Sequence, residues 1–155
     1  GVGAFGEAMR KIGGARDEIR GALSRGTPTL GICLGMQVLL ERSEESPEAG
    51  IGFISGSVKR LNVARVPQMG WNDVRFADSE PLFDGVKSGT QFYYANSFVC
   101  MPEDGAVLAE TEYGQTFAAA VRKGNAFGVQ FHPEKSADAG LAVLRNFVKI
   151  AEGLR

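Results

Sequence analysis

One short segment constrains the fold of this chain more than any other. It reads Gly-Ile-Cys-Leu-Gly at residues 31–35, where a short buried strand predicted at residues 27–33 gives way to a helix predicted at residues 34–42. Small residues on both sides of the cysteine let a strand turn sharply into a helix, and such a turn exposes the central side chain above the sheet. The sequence therefore predicts an α/β fold with Cys33 at a strand-to-helix turn.

The remaining segments complete this α/β pattern. Residues 7–23 repeat apolar positions every three or four residues, which predicts an amphipathic helix interrupted or kinked near Gly13 and Gly14. A second amphipathic helix is predicted at residues 137–154, and a loop at 43–50. Segments rich in β-branched and aromatic residues predict strands at residues 51–61, 71–76, 91–101, 106–112, 116–122 and 126–131. No domain boundary is visible, so we expect a single domain over residues 1–155 with an antiparallel portion embedded in its sheet.

Composition excludes several classes of protein. The 155 residues include 17 basic and 18 acidic side chains, a net charge of −1 that argues against a nucleic-acid partner. No apolar stretch approaches the roughly 20 residues of a membrane span, so no membrane partner is expected. Two cysteines are too few for a disulfide framework, which favours a reducing, cytoplasmic setting. We interpret Cys100 as a small core residue.

The only histidine of the chain limits the chemistry open to Cys33. A thiol needs a nearby base to become a good nucleophile, and here that base can only be His132. Pro133 makes His132 extended, and Glu134 is then placed to accept the ring N–H. The sequence predicts a Cys33, His132 and Glu134 triad. One histidine and two distant cysteines leave too few ligands for a metal site.

Each part of this triad has a structural alternative when it is taken alone. Cys33 could be a buried cysteine between a core strand and a helix. His132 could be a core residue at a strand end, with its ring nitrogens hydrogen-bonded. Their joint occurrence favours catalysis. The following helix is expected to lower the pKa of the thiol through its dipole, and the Leu34 N–H would point to a developing oxyanion.

Residues 31–37 and 130–136 together resemble the class I, or triad, glutamine amidotransferases. Further details resemble the glutaminase subunits of imidazole glycerol phosphate synthase within that family. They are Met36, Pro-Gln-Met-Gly-Trp-Asn at residues 67–72, Tyr113 with Gly114, Phe-Ala-Ala-Ala-Val at 117–121, and Lys135 with Ser136. The resemblance covers essentially the whole chain. It implies a flavodoxin-like fold, in which an open, mixed and mainly parallel sheet is flanked by helices.

The resemblance also implies a reaction and its residues. Cys33 would attack the side-chain amide of glutamine, with no cofactor, and release ammonia and then glutamate. The oxyanion hole would combine the Leu34 N–H with a backbone N–H of Val2 or Gly3. The residues that would hold the glutamine are Gly35, Gln37, Asn96, Ser97 and Phe98.

A partner follows from the same resemblance. Ammonia would pass to a cyclase subunit with a (β/α)₈ barrel, which makes imidazole glycerol phosphate and AICAR in histidine biosynthesis. The residues expected at this heterodimer interface are Gln68, Met69, Trp71 and Asn72. Without the resemblance, Trp71 would be interpreted as packing in the core or at its rim.

The chain departs from the family in two places. Family members have about a quarter more sequence on the N-terminal side of the segment that aligns with Gly1. We therefore expect the first strands of the sheet to be missing, which would leave an open apolar sheet edge. Many members have His and Tyr where Asn96 and Phe98 stand, so substrate contacts here would use backbone groups.

Three alternatives to this function stay open at the level of sequence. One is the glutaminase of another synthase, of the anthranilate synthase type. The second is a peptidase that uses the same Cys-His-Glu triad. The third is an inactive fragment that only docks a partner.

Overall fold

Four helices and ten short strands make up the part of the chain that the computed structural model describes, residues 4–103 and 105–153. The helices are α1 Ala4–Ile12, α2 Arg16–Ser24, α3 Leu34–Gln37 and α4 Ala137–Gly153. The strands are β1 Thr29–Ile32, β2 Arg42–Ser43, β3 Gly56–Arg60, β4 Gln68–Asp73, β5 Arg75–Phe76, β6 Gln91–Asn96, β7 Phe98–Pro102, β8 Val107–Glu112, β9 Thr116–Lys123 and β10 Ala126–Val129. Within these residues no helix is both long and apolar enough to cross a membrane.

The largest sheet has five strands in the order β1-β10-β9-β8-β5. Strands β1 and β10 are parallel neighbours, in register from Thr29 opposite Ala126 to Ile32 opposite Val129. Strands β10, β9, β8 and β5 follow one another in antiparallel pairs. Two smaller sheets, β2-β3-β7 and β4-β6, complete the fold.

Apolar cores lie on both faces of this five-stranded sheet. Along β10, Ala126 belongs to one core, whereas Phe127 and Val129 belong to the other. Helices α1 and α3 pack in the first core, through residues such as Phe5 and Met36. Helix α4 packs in the second through the fully buried Val143. The sheet is therefore covered on both faces, as the α/β prediction requires.

The first predicted helix is confirmed, together with its interruption. Residues Gly13–Ala15 form a single 3₁₀ turn between α1 and α2. Gly13 has φ +52°, a conformation that favours glycine over residues with a Cβ. The break therefore has a local cause that the sequence shows.

The helix predicted after Cys33 is much shorter than expected. The prediction covered residues 34–42, whereas α3 ends at Gln37. The carbonyl groups of Val38, Leu39 and Leu40 accept hydrogen bonds from N–H groups of residues 51, 54 and 52 instead of from a continuing helix. The same contacts explain why residues 51–55, predicted as part of a strand, lie outside the sheets.

The strand predicted at residues 91–101 is two strands. Strand β6 pairs with β4, placing Asn96 opposite Gln68, and β7 pairs with β3, placing Phe98 opposite Arg60. The chain changes sheets at Ser97, whose carbonyl accepts a hydrogen bond from Leu61 N–H.

The sheet is mixed, as predicted, but pairing within the described residues is mainly antiparallel. Only β1 with β10 and β2 with β3 run parallel there. A parallel pair needs a long crossover connection, whereas β8, β9 and β10 are joined by short turns that reverse the chain. The expectation of mainly parallel strands is therefore wrong for these residues.

Candidate active site

Two neighbouring parallel strands bring Cys33 and His132 to the same edge of the sheet. Ile32 ends β1 opposite Val129, which ends β10. Cys33 follows directly, and its N–H donates to the Val129 carbonyl over 2.8 Å. His132 comes three residues after β10. Because the carboxyl ends of parallel strands open at one edge, residues that are 99 positions apart in sequence lie at that same edge.

The turn that carries Cys33 has a strained backbone. Cys33 has φ +53° and ψ −105°, outside the regions that residues with a Cβ ordinarily occupy. Such strain costs on the order of 1–3 kcal/mol and persists only where the surroundings impose it. The two flanking glycines differ. A Cβ on Gly31 would lie 2.5 Å from the Gly35 carbonyl oxygen, whereas a Cβ on Gly35 would meet nothing within 4 Å.

The two glycines should therefore respond differently to alanine. We expect Gly31→Ala to lower the free energy of unfolding by about 1–3 kcal/mol, because backbone must move away from the new methyl group. Gly35→Ala, within α3, should leave it unchanged or raise it by about 0.5–1 kcal/mol. Urea unfolding of both variants checks this pair. Equal destabilisation of the two would contradict the described packing of the turn.

The environment of the Cys33 thiol has opposing effects on its acidity. Burial raises the pKa of the Cys33 thiol above its usual value, while hydrogen bonds from Leu34 N–H and from Gln130 lower it by less. The predicted decrease in the pKa of the Cys33 thiol is therefore wrong. Helix α3 spans only four residues, so its dipole is small, and the low-polarity surroundings of the sulfur dominate. A base must take the proton when the thiol attacks.

His132 and Glu134 adopt the predicted arrangement. Nδ1 of His132 lies 3.1 Å and 3.2 Å from the two carboxylate oxygens of Glu134. Pro133–Lys135 form one 3₁₀ turn, which brings the carboxylate back beside the ring. With Nδ1–H donated to Glu134, Nε2 carries the lone pair and can accept a proton.

Hydrogen bonds hold the backbone of His132 in place. Its N–H donates to the Tyr93 carbonyl over 2.9 Å, and its carbonyl accepts from the Ser136 hydroxyl over 2.6 Å. Ser136 in turn accepts from Tyr93 N–H. Helix α4 approaches this turn closely, because a Cβ at Gly140 would lie 1.9 Å from the Pro133 oxygen.

A pocket of about 240 Å³ opens beside the Cys33 thiol. It brings together predicted substrate residues that are far apart in sequence, namely Gln37, Asn96, Ser97 and Phe98. Leu34 also lines it, whereas Gly35 does not. The predicted oxyanion residues Val2 and Gly3 lie outside the described residues. Within those residues, no group of three His, Cys, Asp or Glu side chains is placed to hold a metal ion.

The pocket also contains a carboxylate that sequence reasoning missed. Glu45 lines it, and one of its carboxylate oxygens accepts a hydrogen bond from Ala4 N–H over 2.6 Å. The segment was interpreted only as a loop. No local pattern in residues 43–50 indicates that this loop returns to Cys33, and the contact with Ala4 spans 41 positions.

Buried amides form a hydrogen-bonded chain that starts at the thiol. Gln130 donates to Cys33 Sγ and accepts from Gln37, which also donates to the Phe98 carbonyl. Asn96 donates to that same carbonyl and accepts from Gln68. The Gln68 amide oxygen in turn accepts from Asn72 Nδ2.

The exposed face of β4 agrees with one part of the interface prediction and corrects another. Met69 and Trp71 are 67% and 50% exposed and project from the strand, as expected for an interface. Gln68 is only 2% exposed, because its amide is used inside the protein. It therefore cannot contact a partner directly on this face. Asn72 is partly buried and lies with Gln68 on the other face of the strand, because side chains alternate along it.

Comparison with known proteins identifies the family of this chain. The family described as Glutamine amidotransferase class-I matches residues 1–151. The chain is 49% identical over 152 residues to the imidazole glycerol phosphate synthase subunit HisH of Moorella thermoacetica, covering 95% of this chain and 72% of that protein. It is 42% identical to the HisH subunit of Methanocaldococcus jannaschii, covering 97% of this chain and 78% of that protein.

Solved structures support the fold. A crystal structure of glutamine amidotransferase matches with a TM-score of 0.68 at 23% identity, over 95% of this chain and 72% of that one. The structure of PurLQS from Thermotoga maritima matches with a TM-score of 0.68 at 21% identity, covering 88% of this chain and 68% of that one. These likenesses show the shared fold, and the sequence matches show the family. The chain belongs to the class-I glutamine amidotransferases and, within them, to the HisH subunits.

Proposed function

We propose that this chain hydrolyses glutamine to glutamate and ammonia, as the glutaminase subunit of imidazole glycerol phosphate synthase. One observation carries the proposal. Cys33 stands on a strained turn at the carboxyl edge of two parallel strands, with the His132–Glu134 pair at that same edge. A pocket beside the sulfur includes the polar side chains of Gln37 and Glu45 in its wall. The same arrangement supports the following order of bond changes.

The reaction begins with removal of the thiol proton. His132 Nε2 takes the proton from Cys33 as the sulfur attacks the amide carbon of the glutamine side chain. Glu134 accepts the Nδ1–H and stabilises the imidazolium that forms. The imidazolium then gives its proton to the amide nitrogen, which leaves as ammonia. Water, deprotonated by His132, attacks the thioester, and glutamate leaves while Cys33 recovers its proton.

The negative charge of the tetrahedral intermediate needs hydrogen-bond donors at its oxygen. Leu34 N–H follows the nucleophile directly and supplies one of them. A backbone N–H of Val2 or Gly3 supplies the other in this proposal. Removing one such donor typically costs about 10²–10³ in kcat.

The pocket would hold the amino-acid end of glutamine. The backbone of residues 96–98 and the Gln37 side chain provide polar groups along its wall. Glu45 provides the negative charge that an α-ammonium group requires. A free amino acid therefore fits the pocket better than a residue within a peptide, whose nitrogen carries no charge.

Replacing Glu45 should weaken glutamine binding. We expect Glu45→Gln to raise KM for glutamine about tenfold or more with a smaller change in kcat, since a charge-assisted hydrogen bond contributes about 1.5–3 kcal/mol. Steady-state kinetics of glutamate release provides the measurement. The exposed neighbour Glu44 lies outside the pocket, so Glu44→Gln is the matched control. An unchanged KM in Glu45→Gln would remove Glu45 from the substrate site.

We propose that the β4 face carries the cyclase, a (β/α)₈ barrel to which the ammonia passes. Met69 lines the glutamine pocket and is also exposed on this face, so the pocket and the docking surface are adjacent. Trp71 packs edge-to-face on Tyr93, with ring centroids 6.1 Å apart. A half-exposed tryptophan supported in this way is typical of an interface anchor. The products made there would be imidazole glycerol phosphate and AICAR, in the cytoplasm.

Trp71 should therefore contribute strongly to docking. We expect Trp71→Ala to weaken cyclase binding about 30-fold, which corresponds to roughly 2 kcal/mol. Calorimetric titration of the two subunits measures this change. Leu141, which is 45% exposed on α4 and lies outside the β4–β6 sheet, gives the matched control Leu141→Ala. Equal affinities for both variants would place the interface elsewhere.

The proposed function is tested by measuring glutamate release from glutamine. The chain is assayed alone, with the cyclase, and with the cyclase plus its nucleotide substrate. We expect turnover in the complex, together with formation of imidazole glycerol phosphate. A folded complex that releases no glutamate, or a chain that cleaves peptides but not glutamine, would overturn the proposal.

A further inference from the structure

The side-chain amide of Gln130 contacts the sulfur of Cys33 from within the core. We infer that Gln130 is a further catalytic residue, which donates a hydrogen bond to the Cys33 thiolate while Gln37 holds its amide in the required orientation. The inference rests on the proposed function only in taking Cys33 as the nucleophile.

Distances and burial define this contact. Gln130 Nε2 lies 3.6 Å from Cys33 Sγ, a hydrogen-bond distance for sulfur. Gln130 is fully buried, at 0% exposure, directly after β10. Its backbone N–H donates to the Ala119 carbonyl over 2.8 Å, so its position is set by the neighbouring strand. Burying a glutamine side chain costs free energy of folding unless its amide is hydrogen-bonded. Here both the oxygen and the nitrogen of the amide make hydrogen bonds.

The orientation of the amide follows from its second partner. Gln37 Nε2 donates to the Phe98 carbonyl over 3.1 Å, and a carbonyl can only accept. The same nitrogen lies 3.3 Å from Gln130 Oε1. Turning the Gln130 amide over would set one NH₂ group against another. Gln130 must therefore present its oxygen to Gln37 and its NH₂ group to the sulfur.

The chemistry of the thiolate explains why such a donor is needed. Burial of Cys33 disfavours the negatively charged sulfur. Leu34 N–H also donates to this sulfur, but it is the donor that the oxyanion requires once attack begins. Among the residues that the structure describes, the Gln130 NH₂ group donates to the sulfur alone. It therefore stabilises the thiolate before attack, and again when the sulfur leaves at thioester hydrolysis. No proton is transferred to or from the amide.

The pH dependence of thiol alkylation tests this role without using glutamine. The rate of reaction of Cys33 with iodoacetamide, measured by peptide mass, rises with pH as the thiolate forms. In Gln130→Met we expect the rate at pH 7 to fall about tenfold or more and the profile to move to higher pH, because a hydrogen bond to a charge is lost. A Cys33→Ser protein reports any background from Cys100.

Asn146→Leu is the matched control for loss of a buried amide. Asn146 is 6% exposed on α4, and its NH₂ group donates to the carbonyl groups of Leu82 and Asp84. Neither it nor these partners line the pocket beside the thiol. Its alkylation profile should equal that of the unaltered protein. A folded Gln130→Met protein with an unchanged profile would overturn the inference, even if glutamine hydrolysis itself is confirmed.

A second measurement covers the case in which Gln130→Met fails to fold. In the unaltered protein, the side-chain amide resonances of Gln130 should shift as the Cys33 thiol titrates, and should stay fixed over the same pH range in Cys33→Ser. Amide resonances that do not respond to the thiol would overturn the inference. Loss of glutaminase activity with this response intact would instead count against the proposed function alone.

Discussion

Cys33→Ser should reduce glutamate release by at least about 10⁴-fold while leaving the fold and cyclase binding intact. The hydroxyl keeps the shape of the side chain on the strained turn, but it is a far weaker nucleophile toward an amide without a stronger base. Losses of this size are typical when one member of a catalytic triad is removed. Coupled detection of glutamate measures the rate, and subunit titration measures docking.

Cys100 supplies the control for this substitution. It is fully buried in the core, and burial raises the pKa of its thiol strongly. Cys100→Ala should therefore keep glutamate release within about twofold of the unaltered protein, at a modest cost in stability. Glutamate production that survived Cys33→Ser but not Cys100→Ala would contradict the assignment of the nucleophile.

His132→Asn should have the second largest effect. General acid–base catalysis by a positioned side chain contributes about 10²–10⁴-fold, and the chain has no other histidine to replace the lost base. We expect kcat to fall within that range at neutral pH. Because the thiol is buried and its pKa is raised, residual activity should increase as pH rises and the thiolate forms without help.

Glu134→Gln distinguishes the contribution of Glu134 to catalysis from that of His132. The Glu134 side chain is 45% exposed, so water can take over part of its role at His132 Nδ1. Its loss of activity should be smaller than that of His132→Asn. Equal losses would mean that the carboxylate does more than orient the ring. Near-normal activity in His132→Asn would contradict the triad itself.

The parts of the site that the sequence predicts are those with local causes. The strand, tight turn and helix around Cys33 lie within nine residues, and Pro133 limits the path from His132 to Glu134. In both motifs, the short local sequence is enough to predict the arrangement of the reactive side chains. The family resemblance then placed Gln37 and residues 96–98 beside the thiol, where the pocket contains them.

The parts that sequence reasoning missed depend on distant contacts. Helix α3 stops early because N–H groups of residues 51–54 donate to the carbonyl groups of residues 38–40, which follow it. Gln68 is buried because Asn96 and Asn72 use its amide. Glu45 reaches the pocket through a loop with no pattern of its own. In each case a deciding partner lies far away in the sequence, so no local periodicity reports it.

The most direct test of the central claim is to trap the reaction intermediate. The complex with cyclase and its nucleotide substrate is mixed with ¹⁴C-glutamine, quenched in acid within milliseconds and digested for peptide mapping. We predict a γ-glutamyl thioester on the peptide that contains Cys33, and none in Cys33→Ser or on the Cys100 peptide. Steady glutamate release with no label on Cys33, or with label on another residue, would contradict the account.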